Sequence, residues 1–374
     1  MNIIIASDSF KGTMSSKKVN SIIESGIIEK YPQVSITKVS IADGGEGTVE
    51  AITDSILTDV KTTFVSDALC KNKIEAKWAI FNKGHDAIIE VSSVVGLNLL
   101  DKKFQNPCYT STYGIGELIL EILNHDVKNI YIGLGGSSTN DAGTGALNAL
   151  GIKFLDKQNN SIPLGGVYLN KLERIDTSKL NPIIKSKKII LLSDVQNILC
   201  GKEGSSFIFA PQKGATPEEV ILLDSGLNKF QEILKKDLSI DVSNLKGGGS
   251  AGGIGAGFFA FLNAEIKSGI ESILELINFN SIISNADLII TGEGKIDDQT
   301  KYGKAISGII NKAKGIPVIA FCALLDGDKE KIKKELCLKN IFSIVNKNIS
   351  INMSLKYGEK YLRDTVVENI ENIF

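Results

Sequence analysis

The 374-residue chain is 43% hydrophobic and 23% charged with a formal net charge of −1, a profile of a folded protein long enough for two domains of about 150 residues each. Neither sign of charge dominates a long stretch, which argues against a nucleic-acid or membrane-surface partner, and no apolar run reaches the roughly 18 residues of a membrane span. The start, Met1 to Asp8, has no basic lead-in and reads as a strand and not as a secretory signal, so a cytoplasmic location is expected.

Five cysteines (Cys70, Cys108, Cys200, Cys322 and Cys337) are odd in number, widely spaced and without a CxxC pair. Neither structural zinc nor a disulfide framework is expected from them. His85 and His125 are the only histidines, and neither stands in a motif. Arg174 and Arg363 are the only arginines. Any phosphate handled by this chain must therefore be neutralised by lysine, by backbone N–H groups or by a bound cation.

Along the chain, residues 2–6 form a strand run, and 15–30 carry Val19, Ile22, Ile23 and Ile27 at helical spacing before Pro32. A second strand follows at 35–41, then a Gly-rich loop and a helix from Thr48. Residues 74–81 and 87–91 flank a turn with Asn82 and Gly84 and read as an antiparallel hairpin. Strands are expected at 129–134 and 188–192. The pattern resumes with a strand at 286–291, a helix at 303–314, a strand at 316–322, a helix at 329–336 and a strand at 341–345. An amphipathic helix at 353–373 closes the chain. Strands alternating with helices at both ends predict βαβ units and a parallel sheet. The fold class expected is α/β with two domains: a discontinuous Rossmann-like parallel domain (1–64 and 281–374) interrupted by a second, mixed α/β domain (65–280).

Four Gly-rich segments carry the chemistry: Ala42-Asp-Gly-Gly-Glu-Gly-Thr48, Gly133-Leu-Gly-Gly-Ser-Ser-Thr-Asn-Asp-Ala-Gly-Thr-Gly145, Gly247 to Gly257 and Thr291 to Thr300. Glycine lets backbone approach a ligand closely, and such a loop before a helix start suits phosphate. Carboxylates fall at the carboxyl ends of strands, where open α/β sheets gather ligands: Asp8, Asp43, Glu46, Asp194, Glu293 and Asp297. A single such acid is commonly a helix cap, but several beside Gly-rich loops suggest Mg²⁺ and phosphate. There is no GxxxxGK[ST] and no GxGxxG after the first strand, so neither a P-loop nor a standard dinucleotide site is indicated.

Eight segments together resemble the type I glycerate kinase family over essentially the whole chain. They are Asp8-Ser-Phe-Lys-Gly12, Ala42–Thr48, Ser111-Thr-Tyr-Gly-Ile-Gly-Glu-Leu-Ile119, Gly133–Asp141, Ser193-Asp-Val195, Ala210-Pro-Gln-Lys-Gly-Ala-Thr216, Gly247–Gly253 and Thr291–Asp297. The chain departs from the family pattern in four places. Gln196–Cys200 replaces a proline-containing turn, Ala210 a glycine and Lys295 an arginine, and Phe321–Leu325 stands where a Gly-rich element is usual.

The resemblance implies ATP-dependent phosphorylation of D-glycerate, to 2-phosphoglycerate or 3-phosphoglycerate, with Mg·ATP and glycerate in a cleft between two domains and the enzyme a monomer or homodimer. It implies Asp194 as the residue that accepts or orients the hydroxyl proton, with Lys11 and Asp8 also catalytic. Ser9, Ser111, Gly135, Gly136, Ser137, Ser138, Asn140, Asp141, Lys213, Gly248 and Gly249 would bind substrate or phosphate. Asp43, Glu46 and Glu293 would hold Mg²⁺, which takes one or two carboxylates and fills its octahedron with water and phosphate oxygens. A Mg²⁺-dependent phosphohydrolase could use the same carboxylates and loops, and a non-catalytic sensor would bind without turnover.

Overall fold

The computed structural model of the protein describes residues 1–298, 300, 305–346 and 348–373. Gln299 of the expected 291–300 loop, Gly303 and Lys304 of the expected 303–314 helix, and Phe374 at the end of the expected terminal domain lie outside the described residues.

In chain order the strands are β1 (Asn2–Ser7), β2 (Ser35–Lys38), β3 (Asp59–Ser66), β4 (Lys73–Phe81), β5 (Asp86–Glu90), β6 (Asn129–Gly133), β7 (Lys153–Leu155), β8 (Arg174–Asp176), β9 (Lys188–Leu192), β10 (Glu265–Lys267), β11 (Leu288–Ile296), β12 (Val318–Leu325) and β13 (Asn340–Ser343). They divide between two compact units. The terminal unit comprises Met1–Asp43, Glu50–Ile56 and the described residues from Ser268 onward. The inserted unit comprises Gly44–Val49 and Leu57–Lys267.

The terminal unit is built on a five-stranded sheet in the order β13-β12-β11-β1-β2, parallel throughout. Its strands are short apolar runs because both faces are covered. Ile3, Ile5, Ile290, Ile319 and Phe321 pack with Val19, Ile23 and Ile27 of the Ser16–Lys30 helix and with Leu362 and Val366 of the Ile351–Glu368 helix. Those helices meet at Gly26, where a Cβ would lie 2.8 Å from Val366 Cγ1. Ser15 caps the first helix, its hydroxyl accepting the Lys18 N–H.

The inserted unit carries a six-stranded mixed sheet, β10-β9-β6-β5-β4-β3. β3, β4 and β5 form an antiparallel meander, so the expected hairpin is present with one strand more, and β5, β6, β9 and β10 are parallel. A separate ribbon pairs β7 with β8. Trp78 is fully buried, its Nε1–H donating to Thr63 Oγ1 at 2.9 Å. This is the usual demand of a buried indole. The sheets therefore confirm the α/β class with a parallel sheet from both ends of the chain and an inserted mixed sheet. β3, at 59–66, pairs within the inserted sheet, and the units change at 57 and 268 where the sequence reading set boundaries near 65 and 280.

One local expectation is corrected. The segment after Thr291 is not a loop: β11 continues to Ile296, with Lys295 opposite Leu324 and Ile296 opposite Leu325 of β12. Glycine at 292 permits this, since a Cβ there would lie 2.5 Å from Phe321 O.

Candidate functional site

Within the terminal unit, the carboxyl end of β1 lies beside the middle of β11, Ser7 opposite Gly292, and the Asp8 N–H donates to Gly292 O at 2.8 Å. Parallel pairing therefore brings together Asp8 and Glu293, which are 285 positions apart in sequence. Both are nearly inaccessible, at 4% and 5% exposure. Lys11 Nζ lies 2.9 Å from Asp43 Oδ2. Thr300 Oγ1 donates to Glu293 Oε1 at 2.8 Å. Asp8, Ser9, Lys11, Asp43 and Glu293 all line one cavity of about 340 Å³, which Met14, Leu324 and Leu355 also line.

The charges in this cavity are interdependent. Burial, and next the negative charge of Asp43, push the Asp8 carboxyl up to about 8, while Lys11 acts in the opposite direction. The Lys11 stem is largely in solvent. Desolvation pulls its ammonium down, but Asp43 and Asp8 together hold it above the ordinary lysine value. Nearby, Ser7 Oγ at the end of β1 and Thr291 Oγ1 within β11 are buried and have no hydrogen-bond partner among the described residues.

Within the inserted unit, the 133–145 loop leaves the end of β6. Its first glycines accommodate the 44–49 segment: Gly135 N–H donates to Gly44 O at 3.1 Å, and a Cβ on Gly135 would lie 2.6 Å from Gly45 Cα. Asp141 is fully buried and organises the rest. Its Oδ2 accepts from Thr112 N (2.9 Å), Thr112 Oγ1 (2.9 Å) and Gly145 N (3.3 Å), and its Oδ1 from Gly143 N (3.1 Å). Burial raises its pKa, and these donors oppose the rise. Ser138 Oγ donates to Val95 O, and Asn140 Nδ2 to Ser206 Oγ. Ser111 is buried, its Oγ accepting the Tyr113 N–H at 3.2 Å.

Lys213 enters the same loop from a 3-10 turn, Pro211–Lys213. It is 3% exposed. Its ammonium donates to Ser137 Oγ at 2.9 Å and to Thr139 O at 2.7 Å. Burial pushes it down to about 7, with the Asp141 charge acting upward. Lys213, Gly135, Gly136, Ser137, Ser193 and Ser250 contribute to the wall of a cavity of about 300 Å³. Ser193 and Ser250 hydroxyls are 3.0 Å apart. Asp194, half-buried, sits in the chain between two wall residues, Ser193 and Val195.

The N–H groups of Gly248, Gly249 and Ser250 donate to Leu245, Asn197 and Gly247 carbonyls. The glycines that follow serve close backbone packing, since a Cβ on Gly252 would lie 2.0 Å from Thr139 O and one on Gly257 2.0 Å from Ala142 O. Glu46, in the inserted unit, accepts from Asn98 Nδ2 at 3.3 Å.

The sequence reading missed Glu90. It ends the wholly buried strand β5, and its carboxylate accepts from Val49 N (2.5 Å), Gly47 N (3.3 Å) and Ser92 Oγ (3.1 Å). The rule that ligands and acids gather at strand carboxyl ends would have found it had the rule been applied to residues 87–91. Thr112, the partner of Asp141, lies in the Ser111–Ile119 family segment, but the resemblance assigns it no role there.

Residues 3–374 match the glycerate kinase family. The chain belongs to the glycerate kinase family. A glycerate 2-kinase of Escherichia coli K12 is 42% identical over 88% of this chain and 86% of its own length. A glycerate kinase of Halalkalibacterium halodurans is 38% identical over 96% of this chain and 95% of its own. Among solved structures, a candidate glycerate kinase 2 from Salmonella typhimurium LT2 superimposes with a TM-score of 0.81 at 37% identity, covering 98% of this chain and 96% of that one. The protein is thus a glycerate kinase, an ATP-dependent phosphotransferase acting on glycerate. Among the described residues, no helix is long and apolar enough to cross a membrane.

Proposed function

We propose that the enzyme transfers the γ-phosphoryl group of ATP to the 2-hydroxyl of D-glycerate, giving 2-phosphoglycerate and ADP. The regiochemistry rests on the E. coli relative, a glycerate 2-kinase at 42% identity. Phosphoryl transfer asks of a protein mainly positioning and charge neutralisation, and each unit offers a cavity lined by groups that serve one of these. The observation that carries the reading is the joining of Asp8, Lys11, Asp43 and Glu293 in one cavity.

Among the described residues, no three His, Cys, Asp or Glu side chains form a cage for a metal. Mg²⁺ needs only one or two carboxylates when phosphate and water complete its shell. Asp43 and Glu293 are hard oxygen donors whose charges, after burial, raise the pKa of Asp8, and such a set of acids fits the ion. Mg²⁺ bound there would neutralise charge on the transferring phosphoryl group. Lys11 contributes positive charge to the same cavity, the Ser9 N–H holds the Asp8 carboxylate at 2.7 Å, and the Ser9 hydroxyl is available to a substrate oxygen. Glu46, the third metal acid that the resemblance implies, belongs to the inserted unit, where its carboxylate accepts from Asn98 Nδ2.

In the inserted unit, the loop at Gly135, Gly136 and Ser137, with Lys213, binds an anionic group. Ser138, Asn140 and Asp141 anchor that loop through their hydrogen bonds to Val95, Ser206 and Thr112, Ser111 turns its hydroxyl to the Tyr113 N–H beside it, and Gly248 and Gly249 lead into Ser250. Asp194 orients the attacking hydroxyl and takes its proton.

Following D-glycerate, ATP and Mg²⁺ by ³¹P NMR tests the reading. A phosphoglycerate resonance with one proton coupling, matched by ADP, is expected from phosphorylation at C2. A two-proton coupling would move the reaction to C3, and inorganic phosphate alone would overturn the transfer.

A further inference from the structure

The Lys213 ammonium presents an unbalanced charge. It is buried, its only partners are the neutral Ser137 Oγ and Thr139 O, and among the described residues no carboxylate lies within ion-pair reach of it. It nevertheless forms part of a cavity wall in which every other contributing side chain is uncharged. Burying an ammonium without a counter-ion is costly, so the group gives up its proton readily unless an anion enters the cavity beside it. One positive charge matches a monoanion. A polyphosphate brings several negative charges, and the wall offers no second cation to meet them.

We propose that Lys213 is the counter-ion for the carboxylate of glycerate, and that the acid binds at this cavity together with a proton. Ser137, with the Ser193 and Ser250 hydroxyls, supplies neutral hydrogen-bonding partners for the remaining oxygens. This rests on the glycerate kinase reading and names which cavity takes the acceptor acid. It makes Lys213 a specificity determinant: an alcohol without a carboxylate leaves the ammonium uncompensated.

The proton follows from the charge environment. Asp141, on the 133–145 loop, is the titratable group whose charge acts on Lys213. It is engaged by Thr112, Gly143 and Gly145. Asp194 is the other acid carried by the segments that build the wall. With its free value lowered to about 7, Lys213 is mostly neutral at pH 8 and mostly charged at pH 6, whereas beside a bound carboxylate it is charged at both. Binding thus takes up nearly one proton at pH 8 and little at pH 6. Apparent affinity for glycerate weakens about tenfold per pH unit above 7.

Titration calorimetry of the full-length enzyme with D-glycerate, in two buffers of different ionisation enthalpy at pH 6 and pH 8, measures this directly. Wild type is expected to show the proton uptake just given. Lys213→Met, of similar length and apolar, is expected to bind glycerate about 10- to 100-fold more weakly, to bind ATP as wild type does, and to show no uptake. Glycerate bound by wild type without proton uptake at pH 8 overturns the proposal even if the variant does not fold. A folded Lys213→Met that keeps its glycerate affinity but loses ATP overturns it in favour of a phosphoryl site. Wild type that binds ATP but no glycerate overturns the proposal and the glycerate reading together, which separates that failure from the other two.

Discussion

The carboxylate of Glu90 accepts the backbone N–H of Val49 at 2.5 Å, and its second oxygen accepts that of Gly47. A strand-end acid thereby fixes the Ala42–Thr48 motif segment against the start of the 133–145 loop, where Gly44 O receives the Gly135 N–H. Two Gly-rich motifs far apart in sequence become one surface through a residue outside both.

Replacing Glu90 tests that linkage. Glu90→Gln keeps one acceptor and turns a donor toward the other N–H, leaving a buried donor unmatched, which costs about 1–3 kcal/mol. Urea unfolding is expected to show that loss, with turnover reduced because the 44–49 segment is no longer held. A variant as stable and active as wild type would remove Glu90 from this role.

Asp194→Asn keeps size and hydrogen-bonding capacity and removes the base. Turnover is expected to fall by about 10²–10⁴ while the glycerate KM and the melting temperature stay near wild type. Steady-state kinetics with an ADP-coupled assay reads this. Near-normal kcat would exclude Asp194 as the proton acceptor.

Asp8 should carry a pH signature in stability. Its folded pKa, about 8, lies above the unfolded carboxyl value. Between pH 4 and 8 the folded state thus holds a proton that the unfolded state has lost, and stability from this group falls as pH rises through that window. Asp8→Asn removes the penalty. The metal-free variant is expected to be more stable than wild type at pH 8 by at least about 1 kcal/mol, indistinguishable at pH 4, and inactive at both. Thermal unfolding at the two pH values decides the matter.

Gly252→Ala would place a Cβ 2.0 Å from Thr139 O at a φ of +72°. Strain and displacement together are expected to cost about 1–3 kcal/mol. Because Thr139 O is a Lys213 acceptor, the glycerate KM should rise as well. Gly12→Ala also has positive φ but meets nothing within 4 Å. It should show only the conformational penalty, measurable in the same melting experiment.

Much of this molecule is legible without its coordinates. Apolar runs at 2–6, 129–134 and 188–192 became β1, β6 and β9 within a residue, because buried parallel strands need continuous apolar sequence. The acids and glycines after them were visible for the same reason. The extension of β11 through Ile296 was not, since Gly-Glu-Gly-Lys has no strand propensity by itself. It is extended because β12 runs alongside and Gly292 lets Phe321 O approach. The long Pro217–Leu238 helix, opened by a Thr216–Glu219 capping box, has no counterpart among the elements expected from the sequence.

The amino-acid order alone determined the class of fold, the family and the set of polar residues available for catalysis, because periodicity and local motif chemistry are short-range properties. Tertiary structure decided which of those residues meet and in what state of charge. Asp8 joins Glu293 only when β1 pairs with β11, and Lys213 becomes a buried amine of lowered pKa only when its turn closes on the 133–145 loop. Desolvation and pairing depend on neighbours distant in sequence, so the shifted charges that make the site reactive have no local signature.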